Sequence, residues 1–313
     1  MSANTIEKPE AGRRLRSTSE GSRSGGRSEW RVALVFIAPA LIGFLVFFVY
    51  PTIRGFYFSL TQYNLLGTPK WVGLDNFVKI SKDPLFWNAM GVTIEYVLLN
   101  IAFQTVIALL LASLMQRLTQ STLLRGALLL PWLISNVIAA MLWFWLLDYQ
   151  IGLVNVAMEW MGLPKIAFFA NEFWAIPTMA FVNVWRHMGY TALLIYAGMQ
   201  TIPKYVYEAA SIDGSSEWNS FWRMTMPLLR PVLAMILVIT VTGSFQIFDT
   251  VAVTTRGGPV NVTRVMQYYI YQKAFGEGQF GYGSALAVVL FAILAILAAV
   301  QLRLLRAGES DLA

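Results

Sequence analysis

Four stretches of this chain, Val32–Val49, Gly126–Leu147, Pro231–Phe248 and Ala285–Leu302, contain no charged residue at all. A helix needs about 20 mostly apolar residues to cross a bilayer. Helices are favoured there because lipid offers the backbone no hydrogen-bond partner. Two further runs have the length but carry charge: Met90–Met115 includes Glu95, and Phe173–Met199 includes Arg186 and His187. The reading is an all-α polytopic membrane protein with six transmembrane helices. Composition agrees, since 13% of the residues are charged against about 25% in an ordinary soluble domain.

The first run is expected to stay in the mature chain. It exceeds the apolar core of a cleavable signal, and its only small-x-small site, Ala38-Pro39-Ala40, lies inside the run. Six crossings put both termini on one side. That side would hold fourteen Lys and Arg residues: seven in the N-terminal tail, then Arg117, Arg125, Lys204, Arg223, Arg230, Arg303 and Arg306. The other side would hold eight: Arg54, Lys70, Lys79, Lys82, Lys165, Arg256, Arg264 and Lys273. The excess places both termini in the cytoplasm. The parts are then a disordered basic cytoplasmic tail over residues 1–31, a permease domain over 32–305 and a short cytoplasmic tail over 306–313. The first tail is rich in Ser, Gly and Arg and has no core of its own. It either touches anionic lipid heads or only enforces the topology. Nucleic acid is not an expected partner.

Three loops, Pro51–Ala89, Asp148–Glu172 and Asp249–Ser284, face outward and are longer than a helix hairpin requires. On the inner side, residues 203–231 read PKYVYEAASIDGSSEWNSFWRMTMPLLRP. Pro203 can open a helix, in which Tyr205, Glu208, Ala209 and Ile212 recur at helical spacing. Asp213-Gly214 is a turn dipeptide, and Ser215 or Ser216 can cap a second short helix. Pro227 and Pro231 end the segment and begin the next span.

This segment resembles the EAA motif of ABC-importer permeases, carried here by Glu208, Ala209, Ala210, Asp213, Gly214, Ser215, Phe221, Met224, Met226 and Pro227. Met224 and Met226 stand where the family usually has Ile or Leu, and Ser215 where it often has Ala. The resemblance runs from about Phe36 to Leu305 and points to the carbohydrate-uptake branch, on the maltose- and glycerol-phosphate-permease pattern. Tyr50-Pro51, Trp71 through Phe77, Leu130-Pro131, Phe248-Asp249, Gly257-Gly258-Pro259 and Tyr271 through Phe275 support it. It implies an importer subunit with a type I ABC-importer permease fold in a prokaryotic inner membrane, and no enzymatic activity of its own. A second permease, two ATPase subunits and an extracytoplasmic solute-binding protein would be the partners, and a sugar-class solute the cargo. The coupling loop 203–227 would enter a cleft on the ATPase. ATP and Mg would sit on the ATPase subunits, with no cofactor on this chain. The sequence agrees in lacking any G-x-x-x-x-G-K-[ST] phosphate loop.

Ionisable and polar groups inside a membrane mark a pathway by default. Asn183, Arg186, His187 and Tyr190 share one helical face, and Thr240, Ser244 and Ile247 form a second stripe beside Gln246. Opposed polar and aromatic groups suit a sugar. The resemblance aligns Asn183, Tyr190, Thr240, Ser244 and Ile247 with sugar-contacting positions. It has neutral groups where Arg186 and His187 stand. Arg186 either touches the substrate or pairs elsewhere. His187, the only histidine, is a packed, gating or ligand residue, and a multi-His metal site is excluded. Glu95 reads as a structural partner rather than a proton carrier. Asp249 with Gly257, Gly258 and Pro259 is expected to form an outer gate or binding-protein contact. The alternative function is an ion-coupled secondary transporter, although no internal repeat is visible. No H-E-x-x-H or G-x-S-x-G stretch supports an intramembrane enzyme.

Overall fold

A computed structural model describes residues 26–118 and 121–304 of the chain. Most of the N-terminal tail and all of 306–313 lie outside the described residues, while residues 26–31 belong to the first helix. The elements, in order, are α1 (Gly26–Phe44), a π turn (Leu45–Val49), α2 (Tyr50–Ser59), a two-stranded hairpin of β1 (Thr61–Gln62) and β2 (Lys70–Trp71), and α3 (Asp75–Ser81). Then come α4 (Pro84–Leu118), α5 (Thr122–Leu133), α6 (Asn136–Leu146), α7 (Leu153–Trp160) and α8 (Ala175–Gln200). The remainder comprises α9 (Lys204–Ile212), α10 (Glu217–Ser220), a π segment (Phe221–Thr225), α11 (Met226–Leu228), α12 (Arg230–Phe245), α13 (Asp249–Val253), α14 (Met266–Tyr271), a π segment (Gln272–Gly276) and α15 (Phe280–Leu304). The hairpin is antiparallel, with Thr61 opposite Trp71. Contacts divide the chain into a first unit ending at Ile53 and a second beginning at Arg54.

Four helical stretches are long and apolar enough to cross a membrane: Ala33–Ser59, Pro84–Gln116, Arg230–Val253 and Phe280–Arg303. The 26-residue α8 is not among them. It carries the polar groups Asn183, Arg186 and His187, yet it is the central helix of the second unit. It packs along α4, α5 and α12, with thirteen of its residues buried, including Met179, Ala192, Ile195 and Met199.

The apolar run 126–147 departs from the expectation of one straight span. It forms α5 and α6, bent by 92° at Ile134-Ser135. The cause is local. Pro131 lies inside α5 and has no N–H to give the ladder. Ile134 and Ser135 then take extended backbone, with ψ of 136° and 145°. The loop expected over 51–89 is shorter than its apolar gap, because α2 runs to Ser59 and α4 starts at Pro84.

Two apolar clusters hold the second unit. One gathers Phe86, Tyr96, Met179, Phe245, Met266, Tyr269 and Leu286. The other gathers Ala108, Met115, Ile195, Met199 and Leu229. Gly189 lets α8 and α5 approach closely, since a Cβ there would collide with the Leu128 carbonyl. That approach aligns the broken α5–α6 pair with the polar face of α8.

Candidate functional site

A cavity of about 320 Å³ lies among α4, α6, α8, α12 and the start of α13. Seven of the eight residues expected to line a path border it: Asn183, His187, Tyr190, Thr240, Ser244, Gln246 and Ile247. The second stripe is not all helical, because α12 ends at Phe245 and Gln246 and Ile247 lie in the break before α13.

One hydrogen-bonded chain crosses three helices at this wall. Asn183 Nδ2 donates to Asn100 Oδ1 at 2.8 Å, and Asn100 Nδ2 donates to Ser244 Oγ at 2.8 Å. Ser244 Oγ in turn donates to the Thr240 carbonyl at 2.6 Å. Gln104 accepts from Asn100 at 3.2 Å and donates to Thr191 Oγ1 at 2.8 Å. Asn100 is fully buried, and a buried amide must have its partners. The chain fixes what each group can offer. The Ser244 hydroxyl proton is committed to Thr240, whereas Asn183 spends one side-chain N–H on Asn100 and keeps its side-chain Oδ1 for a donor in the cavity.

Tyr96, Asn100 and Gln104, all on α4, are among the wall residues that sequence reasoning missed. They stand at intervals of four on α4, so they share one face. Two amides four residues apart in an otherwise apolar run were the available signal. Glu95, on the same helix, is exposed and outside the cavity wall.

Arg186 is not part of that wall. Its Nε donates to the Ile134 carbonyl at 2.7 Å and an Nη to the Trp132 carbonyl at 3.1 Å. These are carbonyls at the end of α5, where the break leaves them without intrahelical donors. A cation at a helix C-terminus also suits the dipole. The other Nη lies 2.9 Å from His187 Nε2, and His187 Nδ1 donates to the Asn183 carbonyl at 2.9 Å. Nδ1 therefore carries the ring proton, and Nε2 accepts from the guanidinium. Tyr190 stacks on Trp132, with centroids 4.8 Å apart and rings 8° from parallel. The bend and the polar face of α8 are thus one assembly.

Asp249 begins α13 and borders the cavity, where Asn136 Nδ2 donates to its Oδ2 at 3.1 Å. Among the described residues it is the only formally charged one of the wall. Gly257, Gly258 and Pro259 lie outside the cavity, in a loop tied by Thr263 Oγ1 to the Gly258 carbonyl at 2.6 Å and by Thr255 to Thr263 at 2.7 Å. Away from the cavity wall, just before α4, the hydroxyls of Tyr269 and Tyr282 both donate to Asp83 Oδ2, the second at 2.6 Å. Burial alone would raise the Asp83 pKa. The two phenols, the Leu85 amide and the Lys273 charge outweigh it and hold the carboxyl below its ordinary value.

The segment 203–227 forms a helical hairpin. Gly214 closes α9 with φ of +72°, and the Ser215 amide donates to the Ala210 carbonyl at 2.9 Å. This is a left-handed helix stop. Of the two candidate caps, Ser216 serves, its Oγ accepting from the Asn219 amide at 3.3 Å. Tyr207 pins α9 to Thr225 through a 3.0 Å hydroxyl pair. Ala210 is buried, Phe221 and Pro227 are half-buried, and Glu208, Ala209, Asp213 and Gly214 are exposed. Ile212 is 85% exposed and Trp218 70%.

The family model described as "Binding-protein-dependent transport system inner membrane component" matches residues 104–307. The sulfoquinovosyl glycerol transport system permease protein SmoG of Agrobacterium fabrum is 33% identical over 281 residues, 89% of this chain and 91% of that protein. The trehalose/maltose transport system permease protein MalF of Thermococcus litoralis is 30% identical, over 85% of this chain and 90% of its own. A chain of the bacterial alginate ABC transporter, solved in complex with an alginate pentasaccharide-bound periplasmic protein, superposes with a TM-score of 0.80 at 22% identity. The match covers 91% of this chain and 97% of that one, so the fold is shared.

Proposed function

The chain belongs to the family of binding-protein-dependent transport system inner membrane components, and from that membership we infer that it is the permease subunit of an ATP-driven ABC importer carrying a sugar or sugar-like solute. It is a multi-pass membrane subunit and not an enzyme. The observation that carries the reading is the extent of the family match. Residues 104–307 include both the exposed 203–227 hairpin and most of the cavity wall.

The path runs through the cavity, with a second permease supplying the facing half. The solute meets the Asn183 side-chain Oδ1, the Tyr190 ring and the apolar side of Ile247. Amide and hydroxyl groups match sugar hydroxyls, and apolar surface matches the ring face. Asp249 is the single charge among the described residues of the wall, so the wall favours a neutral sugar over a phosphorylated one. Arg186 serves the bend instead of the solute. Six crossings complete the subunit: Ala33–Ser59, α4, the bent α5–α6 pair, α8, α12 and α15. Both termini lie in the cytoplasm. The hairpin around Glu208–Gly214 docks on ATPase subunits that hold ATP and Mg. Closure of those subunits pushes α9, which is tied through Tyr207 to Thr225 in the segment that leads into the following span. Asp249 and the Gly257–Pro259 loop face the solute-binding protein.

The test is co-expression with an ATPase and a second permease, followed by uptake in proteoliposomes. The reading expects all subunits to co-purify and uptake to require both internal ATP and external binding protein. Uptake by this chain alone, driven by an ion gradient, would establish a secondary transporter in its place.

A further inference from the structure

Tyr96, Asn100 and Gln104 bring hydrogen-bonding groups from α4 to the cavity wall, and their partners divide them into two kinds. Both amides are committed to protein. Asn100 accepts from Asn183 and donates to Ser244 and Gln104, and Gln104 donates to Thr191 Oγ1. Tyr96 differs. It is 1% exposed, yet no hydrogen bond joins its hydroxyl to any described residue. Nor is that oxygen among the polar side-chain atoms shut away from solvent. It therefore opens onto space, and the space that Tyr96 borders is the cavity.

A buried phenol needs a hydrogen-bond partner. The ring is fixed in the apolar cluster with Met179 and Phe245, and its oxygen lies on the ring axis, so ring rotation does not move the hydroxyl toward another partner. The group that satisfies it has to enter the cavity. Tyr96 stands four residues from Asn100, about 6 Å of helix rise, on the Pro84 side. In the orientation proposed above that side faces outward, so an incoming solute meets Tyr96 before it reaches Asn183. The two groups are complementary, since Asn183 Oδ1 only accepts and the phenol also donates. A sugar has oxygens on several edges. One of its hydroxyls donates to Asn183 Oδ1 while another oxygen accepts from Tyr96.

We propose that the Tyr96 hydroxyl is a solute-binding group of the path, donating to an oxygen of the sugar and selecting solutes that place an acceptor there. This rests on the importer reading and adds to it the one group of the α4 wall whose hydrogen bonds are still unspent. Asn100 and Gln104 hold the wall together, and Tyr96 reads what enters.

The full-length chain is purified in detergent with its co-expressed subunits, and equilibrium dialysis measures binding of radiolabelled maltose, trehalose and glucose as probes. Tyr96→Phe keeps the ring and removes only the hydroxyl. Affinity for the best-bound probe should fall about two- to tenfold, the net worth of one hydrogen bond, while Tm stays at the wild-type value. A second variant tests position without relying on affinity. The chain has no cysteine, so Tyr96→Cys gives it a single thiol. A charged methanethiosulfonate reagent should modify that thiol, as read by the mass of this chain, and the best-bound probe should slow the reaction. Val97→Cys, at a position 5% exposed and outside the cavity wall, should stay unmodified. Equal affinity of wild type and Tyr96→Phe would show that water satisfies the phenol and would overturn the proposal. Binding of none of the probes, an unreactive Tyr96→Cys, or a lowered Tm in Tyr96→Phe would overturn it too. Dialysis needs neither ATP nor binding protein, so failure here is distinct from failure of the importer reading, which co-purification and ATP-dependent uptake decide.

Discussion

Gly214 offers a test in which backbone torsion and side-chain size make opposite predictions. Its φ is +72°, and a Cβ built there meets nothing within 4 Å. Space is therefore available, and the cost of substitution is the left-handed conformation alone. For an L-residue that cost is about 1–2 kcal/mol, which lowers the population of the closed hairpin about five- to thirty-fold. Alanine should fall in this range. Asparagine visits the left-handed region several-fold more readily than other L-residues and should lose less. Valine, β-branched and a genuine outlier there, should abolish uptake while membrane insertion survives. The assay is ATP-driven uptake in proteoliposomes, with binding-protein-stimulated ATPase measured alongside. The expected order is Gly, Asn, Ala, Val. If alanine instead outperforms asparagine, the position is being read by size against a docked partner, and the torsional account fails. Wild-type uptake and stimulation by Gly214→Val would remove the coupling role as well.

Three further outcomes follow from the site geometry. Asn100→Ala strips a fully buried amide from between Asn183 and Ser244. The loss is about 1–3 kcal/mol, and the KM for uptake should rise as Asn183 loses its anchor; an unchanged KM would show that Asn183 is held by other means. Arg186→Lys keeps the charge but cannot bridge the Trp132 and Ile134 carbonyls together. Loss of one charged hydrogen bond costs about 2 kcal/mol, so the purified complex should melt earlier, and an unaltered Tm would refute the capping role. Asp83 has a lowered pKa, so its contribution to stability is present above the unfolded carboxyl value of about 3.9 and is lost as pH falls through its folded value. Acid titration of intrinsic tryptophan fluorescence should show this transition in wild type and not in Asp83→Asn. Persistence of the transition in the variant would assign it to another group.

The hairpin was the most legible part of the chain. Its signals are local: a Pro start, helical spacing through Ile212, an Asp-Gly stop and a Ser cap all act within a few residues. The face shared by Asn183, His187 and Tyr190 was legible for the same reason, since helical period alone brings those residues together. Arg186 shows the limit of that argument. Period puts it on the polar face, but its partners are carbonyls some fifty residues away, left without helix donors where α5 ends at Leu133. Asn100 and Gln104 were hidden in a run whose apolar average hid two buried amides. Their role appears only when α4, α8 and α12 pack.

The sequence alone thus determined that the chain crosses a membrane, where the 203–227 hairpin turns, and which helix faces are polar. These follow from solvent preference and short-range backbone chemistry, which neighbours in the chain decide. Tertiary structure decided which polar groups remain free to meet a solute and what satisfies the carbonyls left at the bend in 126–147. Hydrogen-bond partners are exclusive, and the helices that supply them are far apart in the chain. Only packing can show which groups are already taken.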